Sequence, residues 1–150
     1  MPPPVQIAFK RIGEPKVGEN GYLGFTPGRE EVHKAGSRPG NAKALDSDIL
    51  VQHDVEIIVR DGARLYVDIY RPAGSDEKIP AVLSWSFYGK KYSALDMLPI
   101  CVWKCCVTDK MLNCVDSRGA GNSDGQIAVM GTQDAEDGFD VVEAIAKMDW

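Results

Sequence analysis

The sequence predicts an α/β protein built as the front half of an open sheet: an antiparallel hairpin, then parallel strands with crossover helices. Three observations point there. Alternating apolar runs flank Asp61-Gly62. Asp-Gly in that setting is the strongest short-range hairpin signal, because glycine accepts the positive φ of a tight turn. Two further apolar runs, 80–86 and 111–116, are separated by a stretch long enough for a crossover. The chain then closes on residues with helical spacing, from about 132–134 to 148.

Residues 1–48 precede this pattern and read as an extended arm or flexible tail. Pro15, Gly18, Gly21, Gly24, Pro27, Gly28, Gly36, Pro39 and Gly40 interrupt any helical or strand period. Tyr22, Leu23 and Phe25 are the residues that would anchor the arm on a neighbouring surface. The folded part is residues 49–150. In the first hairpin strand Val55, Ile57 and Val59 share a face, and in the second Leu65, Val67 and Ile69 do. The face carrying Asp68 is the more polar one. Arg71-Pro72-Ala73-Gly74 ends the hairpin, and residues 75–78 form a charged loop.

Residues 80–86, Pro-Ala-Val-Leu-Ser-Trp-Ser, are apolar nearly throughout, as expected of a strand buried on both faces of a parallel sheet. Phe87-Tyr88-Gly89-Lys90-Lys91 is the loop at its C-terminal end. Pro99 interrupts the crossover that follows, and residues 100–107 fit a helix or a strand. The next strand is 111–116. In the final helix, Ala135, Gly138, Val141, Val142 and Ile145 fall on one stripe. Asp134, Glu136, Asp137 and Asp140 crowd its first turns, where the helix dipole favours negative charge; a metal site is the lesser reading.

Composition bounds the function. The chain has 150 residues, 44% hydrophobic and 26% charged, with a net charge of −5. These are the proportions of a globular domain with a core. The acidic balance offers no basic stripe for nucleic acid. No run approaches the ~18 apolar residues of a membrane span, and Met1-Pro2-Pro3-Pro4 begins no signal peptide. A cytoplasmic protein without a membrane partner is the expectation. Cys101, Cys105, Cys106 and Cys114 lack C-x-x-C spacing and have no histidine nearby, so they read as reduced, mostly buried thiols. No metal or other cofactor is called for.

One motif matches a catalytic pattern and fails in context. Gly121-Asn122-Ser123-Asp124-Gly125 fits G-x-S-x-G, the nucleophile elbow, in which a strand runs into a strained serine turn and a helix leaves at once. Here Asp116 to Ala120 separate the strand from Ser123, and no amphipathic helix follows directly. His33 and His53 both lie upstream, against the Ser-acid-His order of that scaffold. Ser123 therefore reads as a loop residue. A dinucleotide fingerprint is also incomplete: Gly119 and Gly121 are present, but Asp124 stands where the third glycine belongs. A carboxylate there repels phosphate.

Several stretches together resemble the N-terminal part of the cocaine esterase and X-Pro dipeptidyl-peptidase-like serine hydrolases. They are Val59-Arg60-Asp61-Gly62-x-x-Leu65-Tyr66-x-Asp68-x-Tyr70-Arg71-Pro72, Trp85-Ser86-Phe87-Tyr88-Gly89-Lys90, the segment from Val115 to Gly125, and Glu136-Asp137-Gly138-Phe139-Asp140. The resemblance covers roughly residues 50–150. It implies an α/β-hydrolase sheet, incomplete here, and acyl transfer to water from a small-molecule ester or peptide substrate through a Ser-Asp-His triad.

The resemblance also implies that Tyr88 donates its hydroxyl to the oxyanion. From the residues alone, Tyr88 reads as an amphipathic loop residue packing against the arm. The segment from Asp116 to Ser123 becomes a structural loop, in which Arg118 pairs or donates to nearby carbonyls. The nucleophile would follow the final helix, so the serine, acid and histidine have no counterpart in residues 1–150, and this segment alone should turn nothing over. The crossover 91–111 is shorter than the family's. The family's strand order would also leave residues 80–86 as an apolar sheet edge, which invites self-association; a non-catalytic fragment associating through that edge is the alternative function.

Overall fold

A computed structural model describes residues 13–19, 22, 24–38, 44–75, 77–90, 111–127 and 130–148. The elements are β1 (Glu30–His33), β2 (Ile49–Ile58), β3 (Arg64–Pro72), β4 (Ala81–Ser86), β5 (Met111–Asp116) and α1 (Thr132–Ala146). They form a five-stranded sheet in the order β1-β2-β3-β5-β4. The pairs β1/β2, β2/β3 and β3/β5 are antiparallel, and β4/β5 is parallel. The expected α/β architecture is thus present: a hairpin leads, and a parallel pair follows. Crossover residues 91–110, with Cys101, Cys105 and Cys106, lie outside the described residues; Cys114 is buried. Among the described residues no helix is long and apolar enough to cross a membrane.

The β2–β3 hairpin turns where Asp-Gly placed it. Gly62 donates its amide to the Val59 carbonyl at 2.8 Å, and the Asp61 carboxylate accepts the Ala63 amide at 3.1 Å. Strand β2 begins earlier than the alternation from Val55 suggested, and it contains a bulge. Its register on β3 shifts between Gln52 and Val55. A bulge adds one residue to one strand and so reverses which face its side chains take. Before it, Ile49 and Val51 pack with Leu45, Tyr70 and Cys114. After it, Ile57 joins Val59, Leu65, Val67, Ile69 and Val115 under α1. One strand therefore feeds apolar side chains to both faces of the sheet.

The α1 face is the main core, and burying each of its aliphatic side chains contributes about 1.5–3 kcal/mol. The helix keeps Val141 and Ile145 of the expected stripe inward, but the stripe is shifted from the one its apolar residues indicated. Asp137, Val141 and Ile145 are buried, whereas Val142 is 50% exposed and Ala135 is also exposed. The reason is Asp137: its carboxylate takes two bonds from Arg118, both at 2.8 Å, and one from Gln133 at 3.0 Å. That pairing rotates the helix toward the 117–125 loop. The acidic cluster is likewise held by partners more than by the dipole. Asp134 accepts the Trp85 indole N–H at 2.9 Å, and Asp140 pairs with Arg60 at 2.8 Å.

Two further expectations change. Strand β4 is not buried on both faces. It sits at the sheet edge with β5 as its neighbour, Val82 is 39% exposed, and Ala81 and Ser84 are exposed. Among the described residues this is the edge position that the strand-order expectation had, and the strand's apolar composition is not matched by cover on both faces. Strand β1, meanwhile, arises inside residues 1–48. The same stretch anchors through Phe25, whose ring meets Tyr66 edge-on at 4.8 Å, and through the Tyr22 hydroxyl, 3.5 Å from Asn122 Oδ1. Leu23 lies outside the described residues.

Candidate active site

The C-terminal ends of parallel strands β4 and β5 lie side by side, and the Ser117 amide donates to the Ser86 carbonyl at 2.9 Å. In open α/β sheets this end is where ligands bind. The β4 loop presents Tyr88, which is 74% exposed. Its amide donates to Ser86 Oγ at 3.2 Å, and its ring lies against Phe87 with centroids 4.0 Å apart. The described contacts of Phe25 and Tyr22 run to Tyr66 and Asn122, not to Tyr88.

Beneath this surface lies a buried ionic cluster. The Lys90 side chain is fully buried. Its ammonium stands 2.6 Å from Asp54, 3.2 Å from Asp116 and 3.6 Å from Asp68. The Lys90 amide donates to the other oxygen of Asp116. Asp54 sits at the β2 bulge with φ +50°, a left-handed conformation that Asp tolerates better than most residues. Its amide donates to Asp68 at 2.8 Å, and its carboxylate accepts the Thr26 amide at 2.7 Å. Bulges beside functional sites commonly re-aim a side chain, and this one aims Asp54 inward.

Charge balance follows from the geometry. Burial opposes the Lys90 ammonium, but Asp68, Asp116 and Asp54 outweigh it and hold its pKa above that of an ordinary lysine. Burial pushes Asp116 up, with Lys90 opposing. At the outer side His53 lies 3.1 Å from Glu31 and 3.9 Å from Asp68. The Asp68 carboxylate beside it raises its pKa, burial opposes, and Glu31 adds to the rise. Lone Lys and Asp positions give no sequence signal for such a cluster. Its one trace was Asp68 in an otherwise apolar strand.

Ser123 is a loop residue in the structure. Its hydroxyl donates to the Asp116 carbonyl at 2.9 Å and accepts the Tyr66 amide at 3.1 Å. Both histidines face Glu31 instead, at 3.3 Å from His33 and 3.1 Å from His53. Strand β5 ends at Asp116 and α1 begins at Thr132, so no strand-to-helix corner carries the serine. Gly121, at φ +55°, lies against the Asp116 carboxylate, where a Cβ would overlap it. That carboxylate also opposes phosphate at the partial glycine fingerprint. Among the described residues Arg118 pairs with the carboxylates of Asp137 and Asp61.

Comparison with known proteins finds hydrolases and one protein named an aminotransferase. Residues 61–150 match the family model described as X-Pro dipeptidyl-peptidase (S15 family). A CocE/NonD family hydrolase from Staphylococcus aureus superimposes with a TM-score of 0.61 and 26% identity, over 76% of this chain and 25% of that one. An alpha-amino acid ester hydrolase shares the fold, with a TM-score of 0.52 and 22% identity over 73% of this chain and 20% of that one. A protein from Aspergillus ustus named L-tyrosine:2-oxoglutarate aminotransferase is 30% identical over 70 residues, 47% of this chain and 13% of that protein. The chain therefore spans about a quarter or less of the length of these relatives.

Proposed function

Because the chain belongs to the X-Pro dipeptidyl-peptidase (S15) family, we propose that it forms the oxyanion side of a serine hydrolase acting on esters or on peptides at X-Pro positions. Tyr88 is the donor in this reading. The observation that carries it is position: a phenol 74% exposed at the C-terminal end of β4, beside the parallel strand β5, at the place where this sheet type binds ligands. A hydroxyl held there can stabilise the negative charge that develops on the carbonyl oxygen in the transition state. The attacking serine is not Ser123, whose hydroxyl is engaged by Asp116 and Tyr66.

The aminotransferase name stays with the Aspergillus ustus protein, since the matched stretch is 13% of it. The test of the hydrolase reading has two parts. A fluorophosphonate probe should leave Ser123 unlabelled. In a chimera where residues 61–150 replace the matching segment of the Staphylococcus aureus hydrolase, Tyr88→Phe should lower kcat by about 10²–10³ with KM little changed, the usual loss for one oxyanion donor. Labelling of Ser123, or an unchanged kcat in the chimera, overturns the reading.

A further inference from the structure

The loop that carries Tyr88 is held from inside the protein. Among the described residues the contacts of Tyr88 itself are slight: one amide bond to Ser86 Oγ and a ring against Phe87. Gly89 follows at φ +91°, a conformation that lets the chain dive from the surface to a fully buried residue within one step. That residue is Lys90. Its main chain is tied to Asp116 on β5 through the amide. Its side chain is tied to Asp54 on β2 and Asp116 on β5, with Asp68 on β3 close by. A single residue thus joins the β4 loop to three other strands.

We propose that Lys90 is the positioning residue of the Tyr88 loop: its buried ammonium, seated among Asp54, Asp68 and Asp116, fixes where the phenol stands over the end of the sheet. The significance of that placement rests on reading Tyr88 as an oxyanion donor; the mechanical coupling does not. The β2 bulge belongs to the same device. It brings Asp54 to the closest of the three carboxylate contacts with Lys90, at 2.6 Å. An oxyanion donor serves only if it is already in place when charge develops, and a side chain locked by its supporting shell meets that need better than a surface loop alone.

Backbone ¹⁵N relaxation on the chain tests this without any assay of turnover. In the unaltered protein the Tyr88 and Gly89 amides should have order parameters near those of the sheet, about 0.85. In Lys90→Met they should fall to about 0.6 or below, while Val67 and Val115 keep their values. Should Lys90→Met fail to fold, Asp54→Asn gives the second reading: it keeps the shape and removes one charge. A local loss of order at Tyr88 and Gly89, with Val67 and Val115 unmoved, supports the proposal.

Unchanged Tyr88 and Gly89 amides in either folded variant overturn it. So does loosening spread evenly over the sheet, which would make Lys90 a general stabiliser. If the loop loosens while Tyr88→Phe leaves the chimera's kcat intact, the coupling stands and the oxyanion reading is what fails.

Discussion

The two faces of the sheet bury polar groups in opposite ways, although the same strands supply both. On the side away from α1, Asp68 and Asp116 alternate with Tyr66, Tyr70 and Cys114, and all five are buried. Every charge there has a named partner, with Lys90 at the centre. On the α1 side, β5 contributes Asn113, fully buried beside Ala81, Leu83, Val142, Ile145 and Ala146 along a cavity of about 150 Å³. Among the described residues, neither its amide nitrogen nor its oxygen has a hydrogen-bond partner. Neighbouring residues of one strand thus show a satisfied ionic cluster and an unsatisfied amide. The difference teaches that β5 gathers its buried charge at the end of the sheet beneath Tyr88, while its Asn113 amide meets no partner among the described residues on the other face.

The largest effect should come from breaking the satisfied side. Lys90→Met removes the Lys90 ammonium from among the carboxylates of Asp54, Asp68 and Asp116. Breaking a buried pair from one side costs about 3–5 kcal/mol, so the urea midpoint should fall steeply. The defect should shrink as pH falls into the carboxylate range, since burial already favours the protonated form of Asp116. A loss of the same size at every pH would mean that methionine packs badly there and that charge is secondary.

The opposite face predicts a change of opposite sign. Asn113→Leu replaces an orphaned amide with an apolar side chain facing an apolar wall. It should raise stability, by about 1–3 kcal/mol if the whole desolvation penalty of the amide is recovered. Chemical denaturation reads this directly. A fall in stability would show that the amide is used, and the contrast between the faces would then be wrong.

How far the sequence revealed this contrast depends on the range of the signal. The hairpin at Asp61-Gly62 and the existence of α1 rest on neighbours in sequence, and both were legible. The bulge was not. Ile49, Val51, Val55, Ile57 and Val59 all fall on odd positions, so the alternation looks unbroken while the strand changes face between Gln52 and Val55. The inward stripe of α1 was misread in part because its key residue, Asp137, is charged, and Arg118 and Gln133 together satisfy it in its buried position. The burial of Lys90 was hidden for the same reason. Tyr88 entered through family resemblance, and it stands just past the C-terminal end of β4; the Lys90 cluster behind it depends on three carboxylates scattered over 63 positions of the chain, Asp54 to Asp116. Spacing rules do not reach that far.

A smaller effect concerns the border between the cluster and the arm. His53 joins Glu31 on β1 to Asp68 on β3, and its pKa is raised in the fold, chiefly by Asp68. A raised folded-state value means the contribution is complete below the unfolded value near 6.5. It is lost as pH rises through the folded value. Comparing His53→Gln with the unaltered chain at a series of pH values should show curves that separate on the acid side and converge in alkali. Parallel curves would mean that the ring bridges the strands equally well when neutral.

The smallest effects belong to the exposed pairs, and there the two partners of one pair should differ. Arg60 and Asp140 meet through the guanidinium at 2.8 Å, but Asp140 also accepts the Arg60 main-chain amide at 2.8 Å. Arg60→Ala removes the ion pair and leaves the amide bond. Asp140→Ala removes both, and with them a link between the β2–β3 turn and α1. Exposed ion pairs contribute little and are screened by salt. Arg60→Ala should therefore barely move the urea midpoint, and less still at high ionic strength. Asp140→Ala should lower it measurably, by an amount that salt does not erase. Equal and salt-sensitive losses would place the whole interaction in the charges and deny the amide bond any part in docking the helix.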